Sequence, residues 1–579
     1  MKKIIVFLIA CIGILLVFPI FGSNYNAAIT EWTNLIPSVP HTGTQALFTV
    51  KINSPYQNNK LYAIFRSSKE TFSLPLADDG QDGDKKSGDG IFSCIFPTQK
   101  KHGLWYCLVA AGKDAKHLSY SLPQVFIVTS KQTEYRALWA DSWNAGFLSR
   151  SQADGLVKCA RDSNLNAIIV EVRKIGDAYY DSAYEPRASN LKDPGFDPLG
   201  YLCQIAHDTR GGKKRIEVHA WIVCYRIHKG NKQRGFPKAP HILGEHPEWA
   251  SVSFAGKKFD NGSVYLDPGI PEVTNYNINV CLDIVNKYDV DGINFDYIRY
   301  PQMGWGYNPI ALKRFQKLYN RSDKPKPRDP MWLEFQRNQV THFLRKVYVN
   351  LIAVKPKIIV SVCTIGWGDI PGGDFKRTDA YAAGIQNWAE WNRQHILDVN
   401  FRMGYKRQNE DRYRRQFENW TRFTLEHQDF RLSPIGLGAY LNTFEGTMDQ
   451  IRMAREFGSN GIVLYSYYSP CKDKISKQAF YTNLKSRKFP KWLDAPPLAW
   501  KISNPTGILA GTVYQNKLPA DGAEITLPEI NLKTKTDGTG FYAFMDVPPG
   551  HYRIDLNGKK AGASEVKANH ISPCDIQYP

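Results

Sequence analysis

The chain has 579 residues and a mass of 65.8 kDa, too long for one compact domain and enough for roughly three or four at ~150 residues each. Hydrophobic residues at 43% and charged residues at 22% exclude wholesale disorder. A net charge of +19 favours anionic surroundings, yet no lysine-rich run or RNA-binding signature accompanies it, so no nucleic-acid partner is expected.

The first residues bear on the compartment. Met1-Lys2-Lys3 precedes an apolar run over 4–21, broken by Pro19 and followed by Gly22-Ser23-Asn24. This order is that of a secretory signal over 1–22, which predicts a secreted, periplasmic or cell-envelope protein. The alternatives are an uncleaved anchor and a lipoprotein processed at Leu8-Ile9-Ala10-Cys11, although the apolar run continues well past Cys11. No other segment reaches spanning length, so no stable membrane insertion is expected once the signal is removed. Ten cysteines, nine without Cys11, contain no CxxC and no cysteine–histidine cluster, so neither a zinc site nor any cofactor is expected. Cys94 and Cys107, on two strand-like runs around a short turn, either face each other as a disulfide or stay an unlinked buried pair.

Residues 23–131 alternate strand-like runs with turns and predict a small β-sandwich. Within it, Asp78, Asp82 and Asp89 fall at positions 1, 5 and 12 of a calcium-loop spacing, with Gly80 at position 3. The match is partial. The competing reading is an Asx- and glycine-rich turn without metal. The segment resembles extracellular immunoglobulin-like modules with an aspartate–glycine loop.

From Tyr135 short apolar runs alternate with amphipathic helical stretches. The runs are 137–143, 167–173, 216–225, 290–297, 358–365, 396–405, 435–441 and 461–468. Eight such units over 132–488 predict a (β/α)₈ TIM barrel. A doubly wound sheet is the alternative, but it would show a glycine-rich first turn where this chain has Asp141-Ser142-Trp143-Asn144. Residues 489–505, spaced by Pro490, Pro496, Pro497 and Pro505, read as a linker that limits contact between the barrel and the C-terminal segment. Residues 506–579 alternate with period two and predict a second sandwich. Its Thr536-Asp537-Gly538-Thr539-Gly540-Phe541 and Val547-Pro548-Pro549-Gly550 motifs resemble the carboxypeptidase regulatory-like, transthyretin-like domain. The predicted fold class is therefore multidomain: a central TIM barrel between two small β-sandwiches.

In such barrels reactive groups sit where strands end. Period two places Asn294 with Asp296, Glu171 with Arg173, and His219 with Trp221, Val223 and Tyr225, followed by Arg226. Strand one adds Trp139, Asp141 and Trp143; strands six and eight end in Tyr405 and Tyr467. Carboxyls among aromatic walls are what glycoside hydrolysis requires. Asp296 is the expected nucleophile or base and Glu171 the expected acid. Arg173 and Arg299 are expected to hold Asp296 ionised, with His219, Trp221, Tyr225 and Tyr467 as a sugar platform. The competing reading is a Glu171–Arg173 bridge inside the barrel with Asp296 capping the next loop.

Four motifs carry a wider resemblance: Ile169-Val170-Glu171-Val172-Arg173 with Gly176-Asp177-Ala178-Tyr179-Tyr180; Ile216-Glu217-Val218-His219-Ala220-Trp221; Leu266-Asp267-Pro268-Gly269; and Asp289-Val290-Asp291-Gly292-Ile293-Asn294-Phe295-Asp296-Tyr297-Ile298-Arg299-Tyr300-Pro301. Together they resemble the bacterial glycosyl-hydrolase-like family 10, a TIM-barrel family of secreted proteins and lipoproteins. The resemblance implies hydrolysis of O-glycosyl bonds; one branch of the family cuts peptidoglycan glycan strands. Asp177, His219, Tyr225, Arg226, Asp296 and Tyr300 match the family pattern. Glu171 stands where the family usually carries glutamine, Val223-Cys224 where it often carries asparagine–proline, and Arg402 where it often carries proline. The expected function is a secreted hydrolase acting on a polysaccharide or cell-wall glycan, and the alternative is a non-catalytic glycan-binding or envelope scaffold.

Overall fold

Eight short parallel strands close on themselves at the centre of the chain. They are β1 (Tyr135–Ala140), β2 (Ala167–Arg173), β3 (Glu217–Val223), β4 (Gly292–Asp296), β5 (Ile359–Ile365), β6 (Val399–Gly404), β7 (Ile435–Gly438) and β8 (Gly461–Tyr465). Leu464 of β8 pairs with Leu138 of β1, and this closure rules out the doubly wound alternative. The computed structural model describes residues 24–81, 83–113, 118–230 and 235–578. The expected signal at 1–22 and Asp82 lie outside the described residues. Among those residues no helix is long and apolar enough to cross a membrane.

A helix follows each strand: α1 (Arg150–Asp162), α2 (Pro198–His207), α3 (Pro271–Lys287), α4 (Pro330–Val354), α5 (Trp388–Arg393), α6 (Asp411–Glu426), α7 (Phe444–Glu456) and α8 (Lys477–Lys488). Local chemistry sets their starts. Ser149 caps α1 by accepting from the Gln152 N–H, Ser476 caps α8 through the Ala479 N–H, and Pro271 opens α3, where its missing N–H costs nothing. Side chains alternate across each strand. Trp139, Ile169, Trp221, Cys363, Phe401 and Val463 fill the lumen, while Leu138, Ile168, Val170, Phe295 and Leu464 pack outward against the helices.

The floor of the barrel is polar. Tyr135 Oη donates to Glu217 Oε2 at 2.9 Å, and the His219 ring meets the same oxygen at 3.1 Å. Gly292 is required here, because a Cβ on it would lie 2.2 Å from His219 Nδ1. Beside this network Asp398 accepts from Tyr348 Oη at 3.0 Å, from the Val360 N–H at 2.8 Å and from Trp500 Nε1 at 2.6 Å.

That last contact corrects the reading of 489–505 as a segment holding its neighbours apart. Leu498 and Trp500 are buried against the barrel, and Lys501 Nζ reaches Asp398 at 3.2 Å. Prolines interrupt regular structure here, but the apolar residues between them supply the burial that anchors the strap. The C-terminal sheets are tied down as well. Asp521 receives both forks of Arg314 at 2.8 and 2.9 Å, and Asp546 pairs with His395. Those sheets, one built on Gly507–Gln515 and Phe541–Val547 and the other on Glu524–Leu527 and Gly550–Leu556, enclose Leu509, Val513, Ile525, Tyr542, Phe544 and Ile554.

On the other side a three-stranded sheet (Thr30–Ile36, Ala46–Ile52, Ile91–Phe96) faces a five-stranded one built on Lys60–Ser67 and Gly103–Gly112. Phe48, Phe65, Phe96, Trp105 and Phe126 fill the space between them, joined by Phe430 from the barrel. Cys94 and Cys107 lie on these opposed sheets, and of their two expected states the unlinked one is present: both are buried and free. Burial pushes the Cys94 thiol up to about 12.

Candidate active site

The C-terminal strand ends bring three carboxyls together. Asp296 closes β4 and is 8% exposed. Its Oδ1 accepts the Tyr297 N–H at 2.7 Å, and Tyr297 holds that donor with φ at +47°, a left-handed conformation unusual for a bulky residue and typical of functional turns. Burial is the largest influence on Asp296 and raises its pKa; the Tyr297 N–H, Arg226 and Arg299 oppose it without prevailing. The expectation that cations hold Asp296 below its ordinary range is therefore corrected, and Arg173 takes no part.

Glu171, on β2, is 1% exposed. Its Oε2 accepts the Ser142 N–H at 3.0 Å and the Ser142 hydroxyl at 2.9 Å. Burial pushes its carboxyl up to about 7, helped by the neighbouring Asp141 charge and opposed by Ser142 and Arg226. Asp141, just past β1, organises the first loop by accepting from the Trp143 and Asn144 N–H groups, both at 3.1 Å, and from Asn144 Nδ2 at 2.8 Å.

Tyr465, at the end of β8, marks where these acids converge. Its hydroxyl is raised first by burial and then by the charges of Asp141, Glu171 and Asp296, which come from three different strands. The ring stacks on Tyr405 at 5.5 Å and meets Trp139, Trp221 and Tyr440 edge-on. Arg226, just beyond β3, acts electrostatically on both Glu171 and Asp296. It lies 3.9 Å over the Tyr297 ring and donates to that residue's hydroxyl at 2.7 Å. Farther out stand Trp143, 47% exposed, Trp367, 39% exposed, and Tyr440, 39% exposed. Asp141, Glu171, Trp221, Arg226, Asp296, Arg299 and Tyr405 are thus gathered at one mouth.

Other expected residues lie elsewhere. Arg173 turns away because the β2–β3 register slips between Glu171 and Arg173, which breaks the period-two alternation. It pairs with Glu185 at 2.7 Å and donates to the carbonyls of Val223 and Cys224 at 2.9 and 2.8 Å, so no Glu171–Arg173 bridge forms. His219 sits four residues before Val223, ~13 Å down the strand, and belongs to the floor rather than to a sugar platform. Tyr225 lies beyond the end of β3, fully buried against Phe343 on α4. Tyr300 is fully buried in the outer core. Tyr467 has left β8 and lies buried against Tyr481, under the Lys477 ammonium at 3.9 Å. Asp177 closes its own turn by accepting the N–H groups of Lys174 and Ile175 at 3.2 and 2.9 Å. Arg402 points outward onto α6, where it donates to Thr421 Oγ1 at 2.9 Å, and burial pushes it down to about 9.

Ser142, Tyr297, Trp367, Tyr440 and Tyr465 were not singled out from sequence. All five stand within two residues of a strand's last residue; Trp367 lies just past its apolar run, and the other four lie at the C-terminal ends of theirs, where a polar or aromatic side chain is the available signal. In the aspartate–glycine loop, Asp78, Asp84 and Asp89 bring carboxylate oxygens within 4.8 Å of one another. Asp78 accepts from the Gly88 and Gly90 N–H groups at 2.6 and 2.8 Å, and Asp84 from the Gly80 N–H at 2.6 Å. These bonds are those of an Asx- and glycine-rich turn.

The family description "Glycosyl hydrolase-like 10" matches residues 134–428, just over half of the chain. Glycosyl hydrolase YngK of Bacillus subtilis (strain 168) is 26% identical over 274 residues, covering 44% of this chain and 49% of that protein. Glycosyl hydrolase DigH of Escherichia coli (strain K12) is 25% identical over 245 residues, covering 40% of this chain and 53% of that protein. The chain spans about half the length of these curated relatives. Among solved structures, a β-galactosidase from the psychrophilic Marinomonas ef1 aligns with a TM-score of 0.44 at 10% identity, covering 66% of this chain and 63% of that one. With a closed eight-stranded barrel and the family pattern matched across half of its length, the chain belongs to the glycosyl hydrolase-like 10 family.

Proposed function

We propose that the barrel mouth hydrolyses O-glycosyl bonds of a polysaccharide, with Glu171 as general acid and Asp296 as nucleophile or base. One observation carries this reading: carboxyls from three separate strands converge on Tyr465 within aromatic walls. Glycoside hydrolysis needs one carboxyl that keeps its proton near neutral pH and a second that bears charge on the other side of the sugar. Glu171, pushed up to about 7, retains a proton to give to the departing oxygen. Arg226 and Arg299 act on Asp296 in favour of its ionised form, although burial still leaves its carboxyl above the ordinary range. Trp221 and Tyr405 then line the sugar, with Trp143, Trp367 and Tyr440 as outer platforms.

The wider reading is an exported envelope protein, processed after residue 22. Its immunoglobulin-like (23–131) and carboxypeptidase regulatory-like (506–579) modules would flank a barrel over 132–488 that acts on polysaccharide or cell-wall glycan, peptidoglycan strands included. The relatives named glycosyl hydrolases support the reaction class. The test is an assay of the mature chain and its Asp296→Asn variant on a polysaccharide panel that includes peptidoglycan sacculi. Cleavage that the variant lacks is expected. Binding without cleavage would favour the scaffold reading.

A further inference from the structure

The walls of the mouth carry more positive charge than the two-carboxyl chemistry uses: Lys174 and Lys229 take no part in it, and Arg299 acts on Asp296 without pairing with it. Arg299 lies 4.8 Å over the Tyr297 ring and 4.9 Å over Trp367. Its Nη1 donates only to the Tyr300 and Pro301 carbonyls, at 3.1 and 3.0 Å. Lys229 stands exposed, with its ammonium 5.5 Å from the Trp143 ring centre. Lys174 lies 4.4 Å over the same ring, with Asp177 at 4.0 Å as a distant counter-ion. Among the described residues neither Arg226, Lys229 nor Arg299 joins an ion pair. Asp260 senses Arg299 without pairing with it.

Cations arranged this way would be wasted on a neutral sugar. Aromatic faces and neutral hydrogen bonds suffice for such a ligand, and covering unpaired charge costs desolvation that it does not return. A sugar carrying a carboxylate uses both parts of the pattern: its C–H face rests on the ring while the carboxylate at its edge meets the cation beside that ring. The repetition of ring plus cation at Trp143 with Lys229 and at Trp367 with Arg299, on loops after β1, β3, β4 and β5, fits a polymer with charge on successive units.

Resting on the glycosidase reading above, we infer that the substrate is an acidic polysaccharide carrying carboxylates on its repeating units, recognised by Arg299 and Lys229 beside Trp367 and Trp143.

The experiment measures binding in the Asp296→Asn background, so that cleavage does not consume the probe. Polygalacturonate, alginate and hyaluronan are each compared with the carboxyl-reduced form of the same polymer. At least one acidic form is expected to bind about tenfold or more tighter than its reduced counterpart, with a preference that shrinks as salt rises. Adding Arg299→Gln or Lys229→Gln should each lower that ratio severalfold, with melting curves confirming the fold. Equal or absent binding to all pairs, a ratio unmoved by both substitutions, or tighter binding to dextran sulfate or oligo-dT than to any of these polymers overturns the inference. Acidic polymers bound but never cleaved by the unmodified protein would leave their recognition by Arg299 and Lys229 standing and remove the hydrolase reading. Cleavage of neutral polymers alone would do the reverse.

Discussion

Replacing Glu171 with glutamine separates the physics of burial from catalysis. The substitution keeps the volume and leaves an amide oxygen to accept from Ser142, but removes the titratable proton. In the folded protein the Glu171 carboxyl moves from its ordinary 4.5 to about 7. Between these values the unfolded chain has released its proton while the folded chain holds it, so stability falls as pH rises. Below 4.5 both states are protonated and above 7 both are ionised, so the loss is confined to that window. At ~1.4 kcal/mol per pH unit it amounts to about 3 kcal/mol. Glu171→Gln should not incur it. Urea unfolding of both proteins from pH 4 to 9 should therefore show the variant gaining about 3 kcal/mol on the parent between pH ~4.5 and ~7, with a constant gap above. Parallel stability curves would refute the claim that burial governs this carboxyl. Turnover gives the second readout: loss of a general acid should cost roughly 10²–10⁴-fold. A variant that gains stability yet keeps its turnover would leave Glu171 buried and protonated but not the acid.

Asp296→Asn should lower turnover by at least ~10²-fold with a nearly unchanged melting temperature, because shape and the Tyr297 N–H contact persist; wild-type turnover on a cleaved glycan would count against its role. Activity should decline as pH rises through about 7, where Glu171 loses its proton, and a pH–rate profile still climbing above that value would contradict the assignment. Trp500→Ala should destabilise by roughly 3–5 kcal/mol, since it opens a cavity and removes a donor from buried Asp398; truncation after Pro497 should do the same, and an unchanged unfolding midpoint would show that the strap is passive. Thiol titration of the denatured mature chain should count the same cysteines with and without reductant, and a difference would reveal a disulfide absent from the fold described above.

The barrel was legible because its signal is local. Eight apolar runs separated by amphipathic helices specify alternating burial, and burial is a property each segment carries in its own residues. Asp296 and Glu171 could be found the same way, as charged residues at positions where a strand should be apolar. Period two failed where a neighbour intervened. The register slip after Glu171 reversed Arg173, and the length of β3 placed His219 at the floor although it shares a face with Trp221. The apolar run that predicts strand eight extends past Tyr467, but β8 ends at Tyr465. The prolines of 489–505 suggested a free tether, while the partner that holds Trp500 there, Asp398, lies about a hundred residues earlier in the chain. The convergence of Asp141, Glu171 and Asp296 on Tyr465 was equally beyond the sequence. Side-chain chemistry and strand periodicity are written residue by residue, whereas which acids share one low-dielectric pocket, and so how far their protons are held, depends on distances that exist only once the barrel has closed.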